Sequence, residues 1–165
     1  MSATPPLGQI AGMSAAAATR LIELADLAAT EVLAASIAAL ARAGDAILLE
    51  GVLGAGKSAF ARAFLRAACR DPALEVPSPT FTLVQSYDTR IGTVHHFDLW
   101  RLDGPRALAE LGWDEACDGI VLVEWPDRLG DLLPIDALTL ALHPTGADSR
   151  QAVLSGWPDR LGRVA

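Results

Sequence analysis

The stretch GVLGAGKS, residues 51–58, decides how the rest of the chain is read. It matches G-x-x-x-x-G-K-[ST] at Gly51, Gly56, Lys57 and Ser58. Before it lies AILLE, a short apolar run of the kind found in strands covered on both faces. After it, SAFARAFLRAACR is helical by propensity and is stopped by Asp71-Pro72. Strand, glycine-rich turn and helix in that order form a cradle, in which consecutive backbone N–H groups and the positive helix end face a phosphate. Gly54 and Gly56 keep side chains out of that cradle, and Ala55 and Ala59 count with them as nucleotide-binding positions. Lys57 would set a compact ammonium between β- and γ-phosphates, and Ser58 would offer a hydroxyl to Mg²⁺. A chain of this composition meets the pattern by chance about 7 times in 10,000, and chance does not also supply the flanking strand and helix.

Composition narrows the setting. Hydrophobic residues make up 52% of the 165 and charged residues 20%, a globular balance with length enough for one core. No apolar run reaches the roughly 18 uncharged residues of a membrane span. Residues 1–18 have no basic leader before an apolar core and read as a loose tail, with 19–165 as a single domain. Two cysteines without CxxC spacing fit a reducing compartment, the cytoplasm, better than a bridge or metal site. The net charge of −7 argues against direct gripping of DNA or RNA backbone, so any nucleic acid is expected to be handled through a partner. Of 13 lysines and arginines only Lys57 is a lysine, an exception that invites a chemical reason.

Further strands and helices follow from pattern. TRLIELA (19–25) reads as a strand, and Asp26 can cap an alanine-rich helix running to about Arg42. TFTLVQSY and TVHHFDLW read as a hairpin turning at DTRIG, and a helix around 105–111 leads to GIVLVE, a second buried strand. ALTLALH and QAVLS are two more strand candidates. The expected fold is α/β, a P-loop NTPase-like three-layer sandwich. Its central sheet would be mostly parallel, with an antiparallel hairpin and antiparallel C-terminal strands.

GIVLVE delivers Glu124 to the sheet edge, where phosphoryl chemistry needs an acid for the metal. The WPDRLG that follows it recurs at 157–162 with Gly156 in place of the glutamate. With no comparable strand before it, the second copy reads as a helix start with a core tryptophan, and the repetition as accidental. Asp98 is a further acid, on the HHFDLWR segment. His95 and His96 alternate faces on a strand and do not easily share one metal, so zinc is not expected. SPTFT (78–82) reads either as a rigid loop or as a γ-phosphate switch.

The segments GVLGAGKS, SPTFTLVQSY, HHFDLWRL and VLVEWPDRL, in that order, resemble the TsaE (YjeE) family, small bacterial ATPases of tRNA threonylcarbamoyladenosine biosynthesis. The resemblance runs from about residue 19 to the end. It implies an ATPase of weak intrinsic turnover that acts with TsaD and TsaB, which perform the threonylcarbamoyl transfer. It would drive or reset that complex and meet tRNA only through it. Among the site residues, the resemblance implies that Lys57 holds phosphate, Ser58 and Glu124 hold Mg²⁺, and Asp98 orients water or metal. Trp125 would lie beside the ATP, Thr80 in the switch, Asp26 and Thr30 near the adenine, and Arg150 in a late turn near the nucleotide. Three positions depart from the family's habit: Val52 for Asp, Ser58 for Thr and Trp100 for Tyr. A small-molecule kinase would carry an arginine-rich lid, and no lid-length insertion is present. A GTPase would carry N-K-x-D, which the single lysine forbids. A binding module without hydrolysis stays open while Val52 is unexplained.

Overall fold

A computed structural model describes residues 18–165, so the tail expected over 1–18 lies outside them apart from Ala18. In chain order the elements are β1 (Thr19–Leu24), α1 (Leu27–Leu40), β2 (Ala46–Glu50), α2 (Lys57–Cys69), β3 (Val84–Thr89) and β4 (Gly92–Asp98). Then come α3 (Arg106–Glu110), α4 (Trp113–Ala116), β5 (Ile120–Glu124), β6 (Leu138–Pro144) and β7 (Arg150–Ser155). One seven-stranded sheet has the order β1-β7-β6-β2-β5-β4-β3. Its centre, β6-β2-β5-β4, is parallel. Both flanks are antiparallel, the β3–β4 hairpin on one side and β7 and β1 on the other.

Strand alternation assigns the two faces. Ile47, Leu49, Ile120 and Leu122 point to the side covered by α1 and α2. Ala46, Leu48, Val121 and Val123 point to the side covered by α3, α4 and a 3-10 turn at Pro126–Leu132. The expected three layers therefore stand. Helix α1 buries Thr30, Leu33, Ala34, Ile37 and Ala38, and α2 buries Phe60, Ala61, Phe64, Leu65 and Ala68. Both sets follow the i, i+3, i+4 stripe of a helix lying on a sheet. Asp26 caps α1, its Oδ1 accepting from the Ala29 amide at 2.9 Å. Helix α2 ends with Arg70 in the left-handed region, where the amides of Arg70 and Asp71 turn back to Ala67 and Arg66. Among the described residues no helix is long and apolar enough to cross a membrane.

Two expectations need correction. Residues 80–83 are a turn and not the start of β3. The Leu83 amide bonds back to the Pro79 carbonyl at 2.7 Å, and Leu83 takes φ 65°, which breaks the strand despite the strand-like composition of TFTL. The second WPDRLG, read as a helix start, follows β7 as expected from QAVLS but holds only a short 3-10 turn at Leu161–Arg163. Both copies also fold alike. Trp125 and Trp157 both have positive φ, and each tryptophan carbonyl accepts from the arginine amide three residues on, at 3.1 and 2.8 Å. As expected, Trp157 is a core residue, with the Arg160 guanidinium 3.9 Å over its ring.

The two copies differ in what precedes each turn, Glu124 in the first and Gly156 in the second. Gly156 has φ 110°, and a Cβ there would overlap the carbonyl oxygen of Ala137. Gly156→Ala is expected to lower unfolding free energy by about 2–4 kcal/mol, from backbone strain and overpacking. Denaturant titration checks it through the midpoint.

Candidate phosphate-binding site

Strands β2, β4 and β5 run parallel, so their carboxyl ends meet at one edge, where ligands of open α/β sheets bind. The turn from β2 to α2 fills that edge. Gly51 cannot be replaced without disturbing it, because a Cβ would lie 2.7 Å from the Leu142 carbonyl oxygen and 2.8 Å from Ala55 Cβ. Gly56 caps α2 with φ 107°, and the first bond of the helix runs from the Phe60 amide to its carbonyl. The amides of that first turn have no intrahelical acceptor and, with the helix dipole, present positive charge to the loop.

Lys57 opens α2 and is only 5% exposed. Its Nζ donates to the carbonyls of Gly51 at 2.6 Å and Val52 at 2.9 Å. The ammonium also lies 4.0 Å from the centroid of the Trp125 ring, a cation–π contact. Burial pushes the Lys57 pKa down, against the opposing pull of Glu124, Asp98 and Asp127. Val52 is 65% exposed, and its carbonyl is the group that Lys57 meets.

The acids come from neighbouring strands in register: Asp98 on β4 pairs with Glu124 on β5. Parallel pairing and period-two alternation set their side chains together on the α1–α2 face. Both are buried. The Ser58 hydroxyl reaches across to Glu124, 3.0 Å from Oε2 and 3.2 Å from Oε1. Asp98 Oδ2 accepts from Thr80 Oγ1 at 3.1 Å and from Ser78 Oγ at 3.4 Å, while Oδ1 accepts from the Trp100 amide at 3.1 Å. The turn at 80–83 thus sets Thr80 on the acid. A cleft of about 350 Å³ joins these groups, bordered by Gly54, Lys57, Ser58, Thr80, Asp98, Glu124 and Trp125.

Asp26, Thr30 and Arg150 are not in that cleft. They border a second one, of about 310 Å³, which shares Gly56 and Ala59 with the first and adds Ala55, Leu142 and Asp148. Asp26 already caps α1, and Thr30 Oγ1 donates to its carbonyl at 3.4 Å. Arg150 clasps the loop from β7, its Nε donating to the Ala55 carbonyl at 2.9 Å. Arg150→Ala removes this brace, and nucleotide affinity is expected to fall about fivefold, the worth of one net hydrogen bond. Fluorescence titration with a labelled nucleotide measures it.

Four residues at the site were not singled out as site residues from sequence. Ser78 lies within SPTFT, and Trp100, noted above only as a departure from the family's Tyr, has its ring centroid 4.3 Å from that of Trp125. Arg101 borders the cleft with its guanidinium 4.6 Å over Phe81. His96, considered above only as a metal ligand, places its Nε2 2.8 Å from Glu124 Oε1. Period-two spacing from Asp98 was the available signal for His96.

Residues 24–152 match the family model described as "Threonylcarbamoyl adenosine biosynthesis protein TsaE". A relative from Rickettsia felis named "tRNA threonylcarbamoyladenosine biosynthesis protein TsaE" is 40% identical over 63% of this chain, a match spanning 61% of the relative's own length. A relative of the same name from Bacillus subtilis is 32% identical over 79% of this chain and 82% of its own. The crystal structure of Bacillus subtilis YdiB superposes with a TM-score of 0.73 and 26% identity, over 92% of this chain and 94% of the other. With the family model covering most of its length, the chain belongs to the TsaE family.

Proposed function

We propose that this chain, with residues 19–165 acting as one domain, binds and hydrolyses ATP with Mg²⁺ for tRNA N6-threonylcarbamoyladenosine modification. It would act beside TsaD and TsaB, which carry out the group transfer, and meet tRNA only through them. The observation that carries the reading is the bond from Ser58 to Glu124 beside Lys57, with Asp98 in register one strand away. One hydroxyl, two carboxylates and an ammonium converging at a helix N-terminus fit the donor set of a Mg·triphosphate. Among the described residues no three His, Cys, Asp or Glu side chains form a metal cage. A Mg²⁺ brought in by phosphates needs few protein ligands, and it would neutralise charge between the β- and γ-phosphates.

The chain's own groups divide the remaining work. Lys57 turns from the Gly51 and Val52 carbonyls to the phosphate oxygens. Ser58, its hydroxyl lone pair turned outward, and Glu124 would hold the Mg²⁺ that the phosphates bring. Asp98, braced by Ser78, Thr80 and the Trp100 amide, aligns the attacking water. The second cleft receives the base, between Asp26, Thr30 and Arg150. The unpaired thiols of Cys69 and Cys117 agree with work in the reducing cytoplasm, and the charge of −7 agrees with tRNA being held by a partner. Phosphate release is the test, measured for the chain alone, with TsaB–TsaD, and with tRNA added. Slow release alone and a large rise with partners is expected. ATP affinity with no release in any mixture would contradict it.

A further inference from the structure

We propose that His96 is a positioning residue: its Nε2–H holds one oxygen of Glu124 so that the other faces the cation carried by the nucleotide. This rests on the reading of Glu124 given above. Asp98 and His96 lie two apart on β4 and share a face, and β4 pairs with β5 so that His96 stands opposite Leu122 and Asp98 opposite Glu124. His96 is therefore one step in from the sheet edge, where it reaches diagonally to Glu124 Oε1 at 2.8 Å.

The slot itself favours an apolar side chain. His96 is 1% exposed, and Val94, two residues earlier on the same face, belongs to the apolar core. An imidazole here gives up its water and gains only one protein partner, because Nδ1 has none among the described residues. In the neutral ring that geometry fixes the tautomer. The proton sits on Nε2, facing the carboxylate, and the bare lone pair of Nδ1 is the unsatisfied atom.

The bond matters because Glu124 has competing partners. Its Oε2 is served by Ser58, and its Oε1 by Ser58 and His96. When Ser58 turns away, His96 is the hydrogen-bond partner left to the carboxylate among the described residues. Hydrogen bonds that orient a ligating carboxylate carry about 10- to 100-fold in affinity or activity.

The test compares His96→Leu, which fills the space without a donor, with His96→Gln, whose amide reaches the Nε2 position. His95→Gln is the control, since His95 bonds to Ser86 and not to the site. Binding of a fluorescent non-hydrolysable ATP analogue to the full chain is measured with Mg²⁺ and with EDTA. H96L is expected to lose about tenfold or more of the Mg²⁺-dependent affinity while matching wild type in EDTA, and H96Q is expected to recover most of it. Wild-type Mg²⁺ dependence in H96L, or a loss in H96Q as deep as in H96L, overturns the proposal.

Should H96L fail to fold, long-range ¹H–¹⁵N spectra of the wild type decide, since the chain has only 3 histidines. The ring perturbed by Glu124→Gln must carry its proton on Nε2, and an Nδ1–H ring there overturns the proposal. Should the wild type bind no analogue in either buffer, the ATP reading fails. The cation half of this inference then falls with it, and the spectra alone judge the His96–Glu124 bond.

Discussion

Lys57→Ala is expected to weaken ATP binding at least about a hundredfold, the value of two charge-assisted hydrogen bonds at about 1.5–3 kcal/mol each. The ammonium stands in a partly dry place where burial lowers its pKa, held there by two carbonyls and the face of Trp125. Such a group is poised for a polyanion, because a triphosphate replaces modest acceptors with full negative charge. A lysine suits the position better than the arginine used everywhere else in this chain. Its ammonium is compact and fits between phosphates, where a planar guanidinium fork would not. Calorimetry of ATP binding checks the loss, and an unchanged melting temperature in K57A would assign that loss to the site and not to the fold. Undiminished affinity in a folded K57A protein would refute the role of Lys57.

The second large effect is expected at Glu124. Glu124→Ala removes the acceptor for Ser58 and His96 together and clears the carboxylate from the cleft. Phosphate release in the presence of partners is expected to fall about a hundredfold or more, the range for losing a metal-orienting or proton-accepting group. Nucleotide affinity in EDTA should change little, because Lys57 and the loop amides are untouched. Asp98→Ala is expected to act in the same direction and to release Thr80 and Ser78 as well, loosening the turn at 80–83. If E124A and D98A proteins both release phosphate at the wild-type rate with TsaB–TsaD present, the assignment of the acids is wrong.

The strongest sequence signals were local, and they were the easiest to read. AILLE, GVLGAGKS and the helix beyond became β2, a turn and α2 because each depends on neighbours within a few residues. GIVLVE was legible for a similar reason: an uninterrupted apolar run signals a strand covered on both faces. What was hidden depends on distant partners. TFTL has the composition of a strand, yet Leu83 breaks it by bonding to Pro79, and Thr80 is drawn to Asp98, 18 residues away in sequence. Period-two spacing puts His96 on the face of Asp98, but its meeting with Glu124, 28 residues on, depends on the register of β4 on β5. Likewise β7 lies between β1 and β6, so Arg150 reaches Ala55 from almost a hundred residues on. The repeated WPDRLG carried a shared turn in both copies, and only the residue before it, Glu124 or Gly156, separates a site from a packed core.

The central claim is that Lys57, within the loop at residues 51–58, neutralises the triphosphate of ATP. Isothermal calorimetry of Mg·ATP into the full chain tests it most directly. Saturable binding that vanishes in Lys57→Ala is the expected result. No heat of binding at millimolar Mg·ATP, from a protein whose circular dichroism and cooperative melting show it folded, would contradict it.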